Sequence, residues 1–227
     1  MTRAYSGTDG PHADAEPVIA GAPAAAAEVA VVLLHGRGGT AEGIVRLADG
    51  FTRSGATLLA PNARRSVWFP AAHDAPRSAN EPALTSAIDS VADAVDAAAE
   101  IGIGPERVVL VGVSQGGCVA GEFLRRRPRR FGGAFLVSAA LPGSTVAAST
   151  VEGDLSGTPV ELASSERDPY VPVERVRATA AVLGAGGAAV DLRVDGGDGH
   201  GLSDATSERI GDRLDVLLSG SSTSGSA

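Results

Sequence analysis

Lysine is absent from this chain of 227 residues, so arginine supplies all 19 of its basic side chains. Cysteine occurs once, which excludes an internal disulfide; Cys118 lies four residues after Ser114 and is predicted to be a small buried helix residue, not a catalytic thiol. No apolar run approaches the roughly 20 residues of a membrane-spanning helix. The first 17 residues lack the basic-then-apolar pattern of a signal peptide. We therefore expect a soluble, cytoplasmic protein.

Acidic side chains outnumber basic ones, 27 to 19, which gives a formal net charge of −8. An acidic balance argues against a nucleic-acid partner. The one basic cluster, residues 125–130, ends an amphipathic segment, and we interpret it as a solvated helix end where cations complement the helix dipole. The chain has neither a G-x-x-x-x-G-K-[ST] nor a G-x-G-x-x-G pattern, and its four histidines show no H-E-x-x-H or H-x-x-E-H spacing. We therefore expect no cofactor and no metal site.

The chain does contain a regular alternation of short apolar runs and amphipathic segments. Runs such as residues 29–34 and 108–111 are too short for helices and rich in β-branched residues, which is typical of strands buried on both faces. Strands that alternate with helices predict an α/β fold with a mostly parallel sheet covered on both sides. We expect a single domain over residues 18–218, a flexible arm over residues 1–17 and a disordered low-complexity tail over residues 219–227.

The run at 108–111 leads into Gly112-Val113-Ser114-Gln115-Gly116, a G-x-S-x-G sequence that opens an amphipathic helix. A sharp strand-to-helix turn lifts the middle residue clear of the sheet and holds it in a strained backbone conformation. The flanking glycines fit such a turn because neighbouring backbone comes too close for a Cβ atom. At a helix N-terminus, developing negative charge is stabilised. We interpret Ser114 as a nucleophile; the alternative is a structural turn serine.

Two further glycine-dense loops follow predicted strands, at residues 35–39 and 195–201. The carboxyl ends of parallel strands form one crevice, so both loops should lie beside Ser114. The first loop is predicted to offer backbone N–H groups to an oxyanion, with His35 in a structural role. The second loop holds His200, the only histidine after Ser114. A serine nucleophile needs a base within hydrogen-bond reach and a carboxylate that orients this base.

The orienting carboxylate is expected between Ser114 and His200 in the chain, because Ser…Asp…His is the order of α/β-hydrolases. Asp168 directly follows a predicted strand, which would bring it to the crevice. The other aspartates after Ser114 fit less well, since each lies inside a strand, on the last helix, in a loop with no strand directly before it, or too close to His200. They are Asp154, Asp191, Asp195, Asp198, Asp204, Asp212 and Asp215.

A long loop over residues 61–80 contains the only tryptophan of the chain. A loop of this length inside a compact domain is usually functional. Trp68 and Phe69 either wall an apolar substrate pocket or anchor the loop in the core, and His73 either contacts substrate or lies on the surface. Asn80 is predicted to cap the helix that follows the loop.

The segments LLHGRGGTAE, WFP, NEP, VLVGVSQGG, SSERDP and GDGHG together resemble the phospholipase/carboxylesterase family of α/β-hydrolases, over residues 18–218. The resemblance implies a Ser-Asp-His hydrolase without a large lid domain. By position, the implied nucleophile, acid and base are Ser114, Asp168 and His200. The implied oxyanion donors are the backbone N–H groups of Arg37 and Gln115. The family often has a leucine where this chain has Arg37.

The resulting hypothesis is a cofactor-free serine carboxylesterase that acts on small to medium acyl esters. Small substrates are favoured because no lid is inserted and because Arg37 places a charge at the expected pocket mouth. An acyl thioesterase or a lysophospholipase is the alternative within the same chemistry. A non-catalytic binding protein of the same fold is the alternative outside it. The expected partner is a small ester, and a homodimer is left open.

Overall fold

A computed structural model of the protein describes residues 10–220. Residues 1–9 of the predicted arm and residues 221–227 of the predicted tail lie outside the described residues. Within the described range the chain forms one seven-stranded sheet and five α-helices. None of these helices is long and apolar enough to cross a membrane.

The sheet is parallel except at one edge. Its strands in chain order are β1 (Val18–Gly21), β2 (Val29–Leu34), β3 (Ala56–Ala60), β4 (Val108–Val113), β5 (Gly133–Val137), β6 (Pro159–Ser165) and β7 (Ala189–Asp195). Their order across the sheet is β1-β3-β2-β4-β5-β6-β7. Strand β1 pairs antiparallel with β3, and every other neighbouring pair is parallel. The carboxyl ends of β2, β4, β6 and β7 therefore meet at the same edge of the sheet.

Helices cover the sheet on both faces, as the sequence predicts. They are α1 (Ala41–Leu47), α2 (Ala83–Glu100), α3 (Gln115–Arg126), α4 (Val173–Ala185) and α5 (Asp204–Ser219). Successive residues of a strand point to opposite faces, so Val32 belongs to the core cluster that includes α2, α3 and α4, whereas Val31 belongs to the cluster that includes α1 and α5. The predicted α/β class is confirmed, and no additional domain is present among residues 10–220.

Burial along the strands follows their position in the sheet. All six residues of β2 are fully buried, because helices cover both faces of this interior strand. Strand β7 lies at the edge and alternates between exposed and half-buried residues. The sequence predicts both patterns correctly, from a continuous apolar run in β2 and an alternating one in β7.

The predicted helix cap at Asn80 is wrong. Helix α2 begins at Ala83, with Pro82 at the cap position. Asn80 is instead fully buried, where its Oδ1 accepts a hydrogen bond of 2.8 Å from the Ala71 backbone N–H. A buried amide side chain needs such partners, and this one ties the end of the long loop to its middle.

The predicted flexible arm does not extend to His12, which is 4% exposed and belongs to the folded domain. Its Nδ1 accepts a hydrogen bond of 3.2 Å from the Arg64 backbone N–H. Its Nε2 therefore carries the proton and donates to the Trp68 carbonyl oxygen at 2.8 Å. Burial lowers the pKa of His12, against hydrogen bonds to backbone that raise it. The neutral imidazole of His12 thus anchors the long loop through its hydrogen bonds to Arg64 and Trp68.

The basic cluster at the end of α3 is only partly solvated, contrary to the prediction. Glu122 is fully buried, and Arg125 and Arg126 approach its Oε1 at 2.9 Å and 2.8 Å. Burial acts to raise the pKa of Glu122, but the hydrogen bonds and charge of Arg125, with the charges of neighbouring arginines, bring it below its usual value. Arg125 is 9% exposed because a buried carboxylate requires a paired cation.

Candidate active site

Ser114 occupies the turn between β4 and α3 and has a strained backbone, with φ 54° and ψ −119°. The turn is tight because glycines surround it. A Cβ atom on Gly116 would lie 2.2 Å from the Leu34 carbonyl oxygen, and one on Gly112 would lie 2.5 Å from the Gly116 carbonyl oxygen. Only glycine fits such contacts. The G-x-S-x-G spacing therefore reflects backbone packing that projects Ser114 from the sheet edge.

A continuous chain of hydrogen bonds runs from Ser114 through His200 to Asp168. The Oγ of Ser114 lies 2.8 Å from the Nε2 of His200. The Nδ1 of His200 lies 2.8 Å from Oδ2 and 3.0 Å from Oδ1 of Asp168. Because a carboxylate only accepts, Nδ1 of the neutral ring carries the proton and Nε2 is the acceptor for the serine hydroxyl. The three residues that the sequence predicted to meet do lie together.

Asp168 is held in place by the start of its own loop. Its Oδ1 accepts hydrogen bonds from the backbone N–H groups of Tyr170 and Val171, at 2.8 Å and 3.0 Å. Burial acts to raise the pKa of Asp168, but the hydrogen bond from His200 and these two backbone donors lower it below the usual value. The carboxylate therefore stays ionised and oriented toward the imidazole.

Two aspartates near the His200 loop, Asp195 and Asp191, have partners other than His200. Asp195 accepts a hydrogen bond of 2.8 Å from the Gly197 backbone N–H within the same turn. Asp191, inside β7, pairs with Arg193 at 2.6 Å. The loop itself is fixed to β5 because the backbone N–H of Gly201, next to His200, donates to the Ser138 Oγ at 2.9 Å.

The two predicted oxyanion donors lie in the loop after β2 and at the start of α3. The backbone N–H of Gln115 is the first of α3 and has no acceptor within the helix. The loop after β2 passes close by, since a Cβ atom on Gly36 would lie 3.5 Å from the Ser114 Cβ. Hydrogen bonds from the Gly38 and Gly39 backbone N–H groups, to Ser66 O and Gly36 O respectively, fix the shape of the loop that contains Arg37.

A pocket of about 650 Å³ opens above Ser114. Phe69 and His73, two of the candidate pocket residues, line this pocket, and the side of the pocket near the β2 loop is formed by Arg37. The remaining lining residues were not predicted. These are Ala71, Ala72, Asp74, Cys118, Tyr170 and Val171.

Tyr170 and Cys118 could have been anticipated from their spacing. Tyr170 lies two residues after Asp168, and its ring contacts the His200 ring edge-on at 4.8 Å between centroids. Cys118 lies one helical turn after Ser114 and forms part of the pocket floor. Burial raises the pKa of the Cys118 thiol to about 11, which keeps it protonated. Its predicted role as a small buried helix residue fits this position.

The prediction that Trp68 walls the pocket is wrong. Trp68 is fully buried beneath the pocket, with its ring 5.0 Å from the His35 ring and 5.5 Å from the His12 ring. Its indole N–H donates to the His35 carbonyl oxygen at 2.8 Å. A buried indole requires such a partner, and this one anchors the loop to the end of β2. The alternative role, loop anchoring, is the one observed.

His35 links the oxyanion loop to the long loop. Its Nε2 accepts a hydrogen bond of 3.2 Å from the Ala63 backbone N–H, so its Nδ1 carries the proton and donates to the Gly36 carbonyl oxygen at 2.8 Å. Burial lowers the pKa of His35, against hydrogen bonds that raise it. Both ring nitrogens are hydrogen-bonded to backbone groups, and neither contacts Ser114. These contacts agree with the structural role predicted for His35.

The described residues contain no group of three or more His, Cys, Asp or Glu side chains that could hold a metal ion. Ser114, His200 and Asp168 lie in hydrogen-bond contact beside a pocket that Arg37 and Gln115 also line, an arrangement suited to acyl transfer.

The chain is similar to known proteins in sequence and in fold. The phospholipase/carboxylesterase family matches residues 15–217 of the chain. A phospholipase/carboxylesterase from Dyadobacter fermentans is 33% identical, with a TM-score of 0.83 over 90% of this chain and 97% of that one. The carboxylesterase of Bacillus cereus shares the fold, with 21% identity and a TM-score of 0.72 over 90% of this chain and 95% of that one.

A protein of Oryza sativa subsp. japonica named a probable inactive carboxylesterase is also similar, at 28% identity in an alignment of 190 residues that covers 76% of this chain and 78% of that protein. The predicted fold, with no large lid domain, is confirmed by these comparisons. The chain belongs to the phospholipase/carboxylesterase family of α/β-hydrolases.

Proposed function

We propose that this protein is a serine carboxylesterase that hydrolyses small to medium acyl esters through an acyl-enzyme, without a cofactor. The observation that carries the proposal is the unbroken hydrogen-bond chain from Ser114 Oγ to Asp168, at 2.8 Å for each His200 nitrogen. This chain ends in the pocket, where a substrate carbonyl carbon would meet the serine oxygen.

The proposed reaction begins when His200 Nε2 takes the proton of the Ser114 hydroxyl as its Oγ attacks the ester carbonyl. Asp168 keeps the imidazole in the tautomer that this step needs and stabilises the imidazolium that forms. His200 then donates the proton to the leaving alcohol. A water molecule, activated by the same nitrogen, cleaves the acyl-enzyme and restores the serine.

The backbone N–H groups of Arg37 and Gln115 are proposed to hold the oxyanion of each tetrahedral intermediate. One such donor contributes about 3 kcal/mol to lowering the barrier in related serine enzymes. Helix α3 holds Gln115 and the hydrogen-bonded turn of residues 36–39 holds Arg37, which supports donors that are fixed before the reaction. Little reorganisation is then needed as charge develops.

A preference for small or medium acyl groups follows from the shape of the pocket. Its volume of about 650 Å³ suits a compact ligand. Arg37 lies across one side, where its Nη2 donates to the carbonyl oxygens of Phe69 and Pro70 at 2.7 Å and 3.1 Å. A long acyl chain would have to displace this arginine or leave the pocket into water.

Two alternatives remain within reach of experiment. An acyl thioesterase or a lysophospholipase would use the same residues on a different substrate. A non-catalytic protein of this fold is the other, and the name of the rice relative makes it relevant. The hydrogen-bonded contact of Ser114, His200 and Asp168 in this chain favours catalysis.

The test is covalent labelling of purified protein with a fluorophosphonate, followed by peptide mapping. We expect a single adduct on Ser114 and none in the Ser114→Ala variant. A series of p-nitrophenyl esters and acyl-CoAs of increasing chain length then ranks the substrates. Absence of label, or label on another residue, contradicts a Ser114 nucleophile; efficiency that keeps rising through long chains contradicts the small-acyl preference.

A further inference from the structure

An exposed arginine forms part of the wall of the catalytic pocket without a carboxylate partner. Arg37 lines the pocket together with Ser114 and His200. No ion pair within 4.0 Å joins it to an acidic side chain among residues 10–220. Its positive charge is therefore not neutralised locally by the described part of the chain.

The guanidinium uses only one of its nitrogens for contacts with the protein. Its Nη2 donates to the carbonyl oxygens of Phe69, Pro70 and Ala71, at 2.7, 3.1 and 3.4 Å. These contacts hold the side chain in one place against the long loop. The Nε and Nη1 donors have no partner among the described residues, so either can donate a charge-assisted hydrogen bond to a carboxylate.

The acidic groups of the pocket do not cancel this charge. Asp168 is paired with His200. Asp74, which also lines the pocket, is close enough to the partly buried Arg175 to act on its charge. Arg175 itself contacts only carbonyl oxygens, those of His73, Leu141 and Gly143. Asp74 is therefore the one carboxylate that lines the pocket with Arg37, and its charge also acts on Arg175, which lies outside the lining.

We propose, on the basis of the esterase function proposed above, that Arg37 gives this pocket a preference for esters that carry a carboxylate group. The arginine is immobilised by the Phe69 and Pro70 carbonyls and presents its remaining N–H donors beside the reacting serine. Because the whole chain has a net charge of −8, the preference arises from direct contact and not from long-range attraction.

The experiment compares matched ester pairs that differ in one negative charge. On the alcohol side the pair is 4-acetoxybenzoate and methyl 4-acetoxybenzoate, with release of the phenol measured. On the acyl side the pair is mono-4-nitrophenyl adipate and 4-nitrophenyl hexanoate. The quantity compared is the ratio of kcat/KM for the charged ester to that for the neutral ester, in which any general loss of activity cancels.

We expect Arg37→Gln to lower this ratio by about tenfold or more in one of the two pairs, the scale of a charge-assisted hydrogen bond. The pair that responds identifies whether the carboxylate lies on the acyl or the alcohol side. Asp74→Asn should change the ratio in the opposite direction. The matched control is Arg46→Gln, which removes one exposed arginine of α1 outside the pocket and should leave the ratio unchanged.

A ratio that is the same in wild type and Arg37→Gln, for both pairs, overturns the inference and leaves the esterase function intact. A second measurement does not depend on turnover: binding of benzoate, with benzamide as the neutral control, to the Ser114→Ala protein. Benzoate should bind at least tenfold more weakly when Arg37→Gln is added. If wild type hydrolyses no ester but benzoate binding still depends on Arg37, the proposed function fails and the carboxylate site stands.

Discussion

The Ser114 elbow and the loop that walls the pocket above it are built in different ways. At the elbow, backbone packs so closely on backbone that Gly112 and Gly116 cannot carry a side chain. The wall over residues 61–80 is instead held by separate hydrogen bonds from distant polar side chains, such as those of Gln115 and His12. Close packing leaves a glycine spacing in the sequence, whereas a hydrogen bond between distant residues leaves none.

The largest effect is expected where the elbow meets the base. Asp168→Asn should preserve the shape of the site but favour the wrong imidazole tautomer, lowering kcat by up to about 10⁴-fold. Asp195→Asn and Asp198→Asn are the matched controls on the His200 loop and should cost far less. Steady-state kinetics on one ester suffice. If Asp168→Asn stays active while Asp195→Asn or Asp198→Asn is inactive, the acid lies on the His200 loop and the assignment of Asp168 is wrong.

The packing of the elbow can be tested with a single methyl group. Gly116→Ala would bring a Cβ atom within 2.2 Å of the Leu34 carbonyl oxygen, so β2 or α3 must move. We expect a loss of about 3 kcal/mol in the free energy of unfolding, with activity lost as well. Gly196→Ala is the control, because nothing lies within 4 Å of its added Cβ. Equal stability of the two variants in urea denaturation would refute the close-packing explanation.

The wall should respond more mildly and in a different quantity. The side-chain amide of Gln115 accepts a hydrogen bond from the backbone N–H of Trp68 at 2.9 Å and donates one to the Phe69 carbonyl oxygen at 2.8 Å. Gln115→Ala leaves both groups buried without this partner, which should cost about 2 kcal/mol of stability and raise KM more than it lowers kcat.

The control for this buried tether is an exposed one. Arg193→Gln removes a surface ion pair with Asp191 and should cost less than about 1 kcal/mol. If Gln115→Ala lowered kcat while KM stayed constant, the Gln115 amide would act on the Ser114 elbow. The proposed difference between the elbow and the pocket wall would then be contradicted.

The smallest effect concerns pH. The folded-state pKa of Asp168 lies below its usual value, so the unfolded chain binds the proton more readily. The resulting stabilisation is present above the ordinary aspartate pKa of about 3.9. It is lost as the pH falls through the folded-state pKa. The stability gap between wild type and Asp168→Asn should therefore narrow in acid, as measured by denaturation at several pH values; a gap that widens would contradict the lowered pKa.

The difference between the two regions also explains which features were predictable from the sequence. The strands, the helices and the meeting of Ser114, Asp168 and His200 follow from apolar periodicity and from loops at strand ends. The buried state of Trp68 does not, because side-chain direction in a long loop depends on partners brought together only by folding.

Charge patterns were misleading for a related reason. Arg125 looks like part of a solvated helix end, since nothing in the local sequence indicates that Glu122 is buried beneath it. Asn80 likewise has the residue type of a helix cap, yet its amide serves the Ala71 N–H. Local preference gave the wrong answer at both positions because a buried polar partner outweighs it.

The position of Trp68 makes the pocket wall observable by fluorescence. It is the only indole of the chain, it lies in van der Waals range of two imidazole rings, and the next residue, Phe69, lines the pocket. Fluorescence excited at 295 nm therefore originates from the Trp68 side chain alone. A thermal or urea transition followed by Trp68 fluorescence reports release of the loop over residues 61–80. Release of the loop can precede the loss of helical circular dichroism, which marks unfolding of the helices and the sheet.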